Sequence, residues 1–307
     1  MTIVLIFLLV FVAGYITQRA RTCAVSAAFE IVKRQRAHRL AGFLLAAACS
    51  FFTLSLLSLF GPGLFSGFAR QWPSALTVIG GIIFAVGAWT NGRCSLGTIA
   101  RLGSGDLSRI GTLVGMFAGI ALSLSLFPPK MMNHEAMTLF ANLSPGALIG
   151  IAAVNLAIFA YIVLKSVPAD FNTAQWPIWQ SMTIVGIING LLVWLAHDWS
   201  YTSLFSHIAK HDVRWISVGS ASFVVLIGGA VTGAMVSNQW HLRAGAPREW
   251  LLAAGGGVLM GVGIVLIPGG NDKMLLIGLP LVLPHLIIAY LVMYATLIGI
   301  ATIAPDR

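Results

Sequence analysis

The chain has 307 residues, of which 58% are hydrophobic and only 9% charged, with 18 Lys plus Arg against 9 Asp plus Glu and a mean hydropathy of +0.91. Too few polar side chains are present to cover a soluble core of this length, which excludes a cytosolic enzyme, a disordered chain and a disulfide-stapled secreted module. The net charge of +9 indicates membrane topology rather than a nucleic-acid surface, because the basic residues are scattered between apolar runs.

Crossing a hydrocarbon layer of ~30 Å takes about 20 apolar residues in a helix. Nine runs qualify: 2–17, 39–60, 74–91, 107–127, 145–165, 176–196, 214–237, 249–267 and 281–303. The first lacks a basic region before it and a small-residue cleavage site after it, so it is expected to be a retained spanning helix. Four short segments, 22–34, 93–103, 200–210 and 269–279, are too short to span and too apolar for plain loops. They are expected to be short re-entrant helices, with ordinary extramembrane loops as the alternative. The expected fold class is an all-α polytopic membrane protein forming a single transmembrane domain over 1–307.

Basic residues fall unequally on the two sides. One side collects 13, including Arg19, Arg21, Arg39, Arg93, Arg101, Arg109 and Arg307; the other holds Arg70, Lys130, Lys210, Arg214 and Lys273. The basic side is expected to be cytoplasmic, which leaves the N-terminus outside and the C-terminus inside. The run from Lys33 to Arg39 is a topology signal in contact with lipid headgroups, not a nucleic-acid patch. Trp176, Trp179, Trp194, Trp199, Trp215, Trp240 and Trp250 lie near run ends, as an interfacial belt requires.

Phe11-Val-Ala-Gly14 leads to Arg21-Thr22-Cys23, and Phe84-Ala-Val-Gly87 leads to Arg93-Cys94-Ser95. Each is followed by a short segment and another span. The second half repeats this layout less clearly, around Tyr201-Thr202-Ser203 and Pro268-Gly-Gly-Asn271-Asp272. The halves, about 1–127 and 176–303, are separated by one spacer span, 145–165, and an odd spacer inverts the second half. Inverted repeats with interrupted helices recur in transporters.

Asn91-Gly92-Arg93-Cys94-Ser95-Leu-Gly97-Thr98 is the most informative stretch. Gly92 and Gly97 permit close backbone approach, and Cys94 to Thr98 opens a short helix whose amides attract an anion. Arg93 favours a thiolate next to it and an anionic ligand, or else anchors a membrane boundary. Cys23 has a similar neighbourhood. In the last segment Gly269, Gly270, Asn271 and Asp272 form the counterpart. There Asp272 either pairs with Lys273 or ties down the loop backbone, a structural and pathway role favoured over proton coupling.

Other groups carry less. Cys49, inside an apolar run, is a packing thiol. His197, His207 and His211, with Asp198 and Asp212, are solvated interface residues, and His285 is a core imidazole with a backbone partner. Nothing supplies four zinc ligands, a nucleophile–base pair or a phosphate loop, so neither a metal, a cofactor nor an enzymatic activity is expected.

On the segments at Cys23 and Cys94, the Gly92-Arg93-Cys94-Ser95-Leu-Gly97 stretch and the Pro268-Gly269-Gly270-Asn271 turn, the chain resembles the YeeE/YedE family of membrane proteins, whose members include thiosulfate transporters. The resemblance covers nearly the whole chain in span layout and about 30 residues in motif. It implies an hourglass-like bacterial inner-membrane protein in which short helices meet at a waist and cysteines pass thiosulfate by S–H···S hydrogen bonds. Cys23 and Cys94 match the first two relay cysteines; the third has no counterpart, since that stretch is Gly269-Gly270-Asn271-Asp272. Another sulfur species, or a relay in which Asn271 donates instead, follows from that departure. The expected function is uptake of a small sulfur-containing anion past Cys94 and Cys23. The alternatives are a membrane sulfurtransferase handing sulfur to a cytoplasmic sulfur-carrier protein, and a non-catalytic scaffold.

Overall fold

A computed structural model describes residues 2–21, 23–60, 71–126, 143–166, 176–197, 199–210 and 212–304, without the side chains of 166 and 213–217. Thr22, Arg70, Lys130, Asp198, His211 and Arg307 lie outside the described residues, as do the side chains of Arg214 and Trp215. In chain order the helices are α1 (Thr2–Ala20), α2 (Ala24–Arg34), α3 (His38–Leu57), α4 (Ala75–Asn91), α5 (Ser95–Gly103), α6 (Ser108–Leu126) and α7 (Pro145–Ser166). Then come α8 (Ile178–Ala196), α9 (Tyr201–Ala209), α10 (Val213–Val236), α11 (Pro247–Leu266), α12 (Asn271–Lys273) and α13 (Pro284–Ile303). Among the described residues nine helices are long and apolar enough to cross a membrane, and no strand occurs.

Helix starts follow local chemistry. Ser74 and Thr77 cap each other's backbone at the start of α4, at 3.4 and 3.2 Å. Pro247 opens α11 and Pro284 opens α13, where the missing N–H costs nothing. Three of the four expected short segments are the helices α2, α5 and α9. The fourth differs: α12 holds three residues and passes directly into a π-helical turn, Met274–Gly278.

Helix pairs meet through glycines, as in lipid, where small residues rather than hydrophobic exclusion bring backbones together. Gly115 and Gly119 of α6 face Ala254 and Val258 of α11, so this pair runs parallel. Gly80 and Gly87 of α4 face Gly263 and Gly256 of α11 in reverse order, so that pair is antiparallel. By the same register α1 is parallel to α10, where Gly14 faces Leu226 and Gly233 faces Tyr15 and Gln18, and α3 is parallel to α8, through Gly42 and Gly186. Further packing joins α4 to α13, α2 to α13, α6 to α9, α1 to α8, α5 to α10 and α3 to the π-turn, while α7 packs chiefly on α3.

Large apolar side chains face outward on most helices, among them Val4, Val114, Val154, Leu164, Val224, Leu251 and Leu291. Such a surface is stable against lipid and not against water. The interior is sealed by Phe84, Met116, Met260, Ile264 and Leu286. His285 is buried there and accepts a hydrogen bond from the Gln71 backbone N–H at 3.3 Å. Cys49 packs with Leu45 and Val163 in a small separate cluster between α3 and α7. His207 reaches Asp212, with Nδ1 to Oδ2 at 3.2 Å.

Candidate functional site

Cys23 and Cys94 occupy equivalent local positions. Each sits in extended backbone just before a short helix, α2 for Cys23 and α5 for Cys94. A helix opens with amides that have no partner inside the helix, and here each thiol supplies one to the neighbouring segment. The Ala24 N–H donates to Cys94 Sγ at 3.3 Å, and the Cys94 N–H donates to Cys23 Sγ at 3.2 Å. The two helix mouths therefore face each other with the thiols between them, 1% and 0% exposed.

The turn that delivers Cys94 is braced from α4. Gly92 ends α4 with φ of +76°, in the left-handed region that favours glycine. Buried Asn91 donates from Nδ2 to the Arg93 carbonyl at 2.7 Å and to Thr98 Oγ1 at 3.0 Å. Its Oδ1 accepts from Arg109 at 2.8 Å and from Thr112 at 2.7 Å. The Thr98 hydroxyl donates to the Cys94 carbonyl at 3.0 Å. Arg93 donates to the Ser26 hydroxyl at 3.1 Å, tying α2 to the same turn.

The second pair of short helices is joined differently. Ser200 caps α9, its hydroxyl accepting the Ser203 N–H at 3.1 Å. Asp272 accepts from the Thr202 hydroxyl at 2.8 Å and from the Thr202 N–H at 3.4 Å. Asp272 thus bonds across to α9, rather than serving only as a local tie within its own loop. Gly270 is required by this contact: a Cβ there would stand 2.7 Å from Asp272 Oδ1 and 2.8 Å from Thr202 Oγ1. At Gly269 an added Cβ would meet only the flexible Lys273 side chain.

Around these junctions, among the described residues, both side-chain atoms of buried Asn271 have no hydrogen-bond partner, and the buried hydroxyls of Ser95 and Tyr201, and of Tyr290 and Tyr294, have only each other. Tyr201 is within electrostatic reach of Asp272, Cys94 and Cys23, and Tyr290 and Tyr294 are within reach of Cys94. An orphaned buried polar group costs about 1–3 kcal/mol, so the Asn271 amide marks a place where a guest can supply the partners. Ser95 and Asn271 were legible in the sequence; the three tyrosines were not.

Two cavities adjoin the junctions. One, of about 60 Å³ and mostly apolar, is walled by Leu96, Tyr201, Asp272 and residues of α1, α8 and the π-turn. The other, of about 340 Å³, is polar and reaches Cys23, Arg21, Arg93 and Arg101. Among the described residues no group of three or more His, Cys, Asp or Glu is placed to hold a metal ion.

Nine helices of spanning length, with polar groups and two thiols brought together where short helices begin, fit the class of membrane transporters. The family model described as sulphur transport matches residues 19–299, and the chain belongs to that family. It is also 25% identical over 297 residues to the thiosulfate transporter TsuA of Escherichia coli (strain K12), covering 83% of this chain and 81% of the relative.

Proposed function

We propose that the protein takes up a small sulfur-containing anion, thiosulfate or a related sulfur oxyanion, through a narrow pathway past Cys94 and Cys23. The observation that carries this reading is the reciprocal thiol pair at two helix mouths, with the hydroxyls of Ser95, Tyr201, Tyr290 and Tyr294 nearby and the Asn271 amide left without a partner among the described residues. An anion stripped of water needs neutral donors and helix N-termini that hold it without trapping it. Thiols donate weakly, which suits a polarisable sulfur that must be passed on. Gly92, Gly97 and Thr98 shape the first junction, and Gly269, Gly270, Asn271 and Asp272 the second. The stretch Gly269-Gly270-Asn271-Asp272 is where the family resemblance would place a third cysteine, and there the Asn271 amide donates instead.

The packing supports a second half that repeats the first upside down. Exchanging α1–α6 for α8–α13 maps α1·α10 onto α8·α3, α6·α11 onto α13·α4, and α2·α13 onto α9·α6. The antiparallel α4·α11 pair maps onto itself, which an inversion requires. The 13 to 5 division of basic residues supports a cytoplasmic C-terminus in an inner membrane. Full burial of Cys94 favours passage of an anion over hand-off of sulfur to a carrier protein.

Cys94→Ala should abolish uptake of radiolabelled thiosulfate by cells that lack other thiosulfate and sulfate uptake, with membrane abundance unchanged. Normal uptake by that variant would remove the thiol pathway.

A further inference from the structure

The wall of the larger cavity carries Arg21, Arg39, Arg93 and Arg101 and no carboxylate. Arg39 is answered by Glu30 at 3.5 Å, and Arg93 donates to Ser26 at 3.1 Å. Arg21 and Arg101 have no side-chain hydrogen bond or ion pair among the described residues. Asp106 is within electrostatic reach of Arg101, but its own oxygens are held by Ser108 at 2.6 Å and Arg109 at 3.3 Å. Arg93 repels both Arg21 and Arg101, and Arg21 repels Arg101. A fold that gathers like charges around one space bears a Coulombic cost that an anion in that space removes.

The remaining wall fits a hydrated guest. Gln18 is buried, donates to the Ser104 hydroxyl at 3.1 Å and leaves its Oε1 unpartnered. That oxygen can accept only from a donor such as water. At about 340 Å³ the space holds an oxyanion with part of its hydration shell, since water occupies ~30 Å³ in the liquid. Guanidiniums grip oxyanions in pairs of parallel N–H···O bonds, which a Lys ammonium cannot do.

We infer that this cavity is a second anion site, in which Arg21, Arg93 and Arg101 hold a hydrated divalent sulfur oxyanion beside the thiol pair. Binding here deepens the transport reading but does not depend on passage past Cys94. The test is calorimetric titration of the full-length protein in nanodiscs with sodium thiosulfate and with sodium sulfate, at ionic strength held constant with sodium chloride. Wild type should bind both. The double variant Arg21→Gln, Arg101→Gln should bind on the order of tenfold more weakly. Arg21→Lys with Arg101→Lys, which preserves charge and guards against loss of folding, should fall between the two. Absence of binding in wild type or unchanged affinity in the Gln variant would each overturn the site. Normal uptake by Cys94→Ala would instead overturn the pathway and leave this site standing.

Discussion

Gly97 and Cys23 approach so closely that a Cβ on Gly97 would stand 2.8 Å from the Cys23 Sγ and 3.0 Å from its Cβ. The thiol is 1% exposed and already accepts the Cys94 N–H at 3.2 Å, so moving it breaks that bond. Gly97→Ala should therefore displace the thiol pair. Uptake of labelled thiosulfate is expected to fall on the order of tenfold, equivalent to about 1.4 kcal/mol, at normal membrane abundance. Undiminished uptake would mean that the spacing of α5 from Cys23 does not govern passage.

Adjacent glycines on α11 should respond in opposite ways. A Cβ on Gly256 would stand 2.6 Å from the Gly87 carbonyl and 2.6 Å from the Asn91 N, whereas one on Gly255 meets nothing within 4 Å. Gly256→Ala is expected to destabilise by roughly 1–3 kcal/mol through overpacking of α4 against α11. Gly255→Ala should be neutral or stabilising by up to about 1 kcal/mol. Thermal unfolding of the two purified variants in one detergent decides this, and a lower melting temperature for Gly255→Ala would contradict the packing.

Asn91 is the brace of the Cys94 turn, with four side-chain hydrogen bonds. Asn91→Leu strips Thr112 and the Arg93 carbonyl of partners and is expected to cost at least about 1–3 kcal/mol. Asn91→Asp keeps the acceptor for Arg109 and Thr112, so it should retain more of the stability while losing the hold on Arg93. Melting temperatures ranked wild type, Asp, Leu would bear this out; equal values for Asp and Leu would not.

The α5–α6 and α10–α11 loops are zipped together by backbone bonds between Leu107 and Arg243 and between Arg243 and Gly105, at 3.0 and 2.9 Å. Asp106 lies beside them. Partial burial pushes its carboxyl up, but the Ser108 hydroxyl and the Arg109 guanidinium outweigh that and hold it below the ordinary carboxylate value of 3.8. The folded state thus binds the proton more weakly than the unfolded one. Stability from Asp106 is complete above pH 3.8 and is lost as pH falls below it. Asp106→Asn should lower the melting temperature at pH 7, with the gap from wild type closing as pH falls toward 3. A gap that stays constant across this range would place the effect elsewhere.

The spans were legible because a run of about 20 apolar residues has few other uses. Cys23 and Cys94 were legible as helix-opening residues because glycine and arginine punctuate an otherwise apolar chain beside them. Tyr201, Tyr290 and Tyr294 were not, since a tyrosine within a helical apolar run has the same pattern whether it packs or points at a ligand. Arg21 and Arg101 carry the pattern of topology signals, and nothing in their local sequence records that they share one cavity. The Asp272–Thr202 contact joins residues 70 apart, beyond the reach of any short-range pattern, and the π-turn after Lys273 has no compositional mark at all.

Cys23 and Cys94 each supply the hydrogen-bond acceptor that the other's segment needs, across a separation of about 70 residues. Deleting one sulfur leaves the amide it served without an acceptor and loosens the sulfur that remains. Single substitutions should then cost nearly as much as the double, with a large coupling energy between them. The fold presents a single two-sulfur component, assembled from two distant stretches of chain, and kinetics on single variants will not divide its work between the two halves.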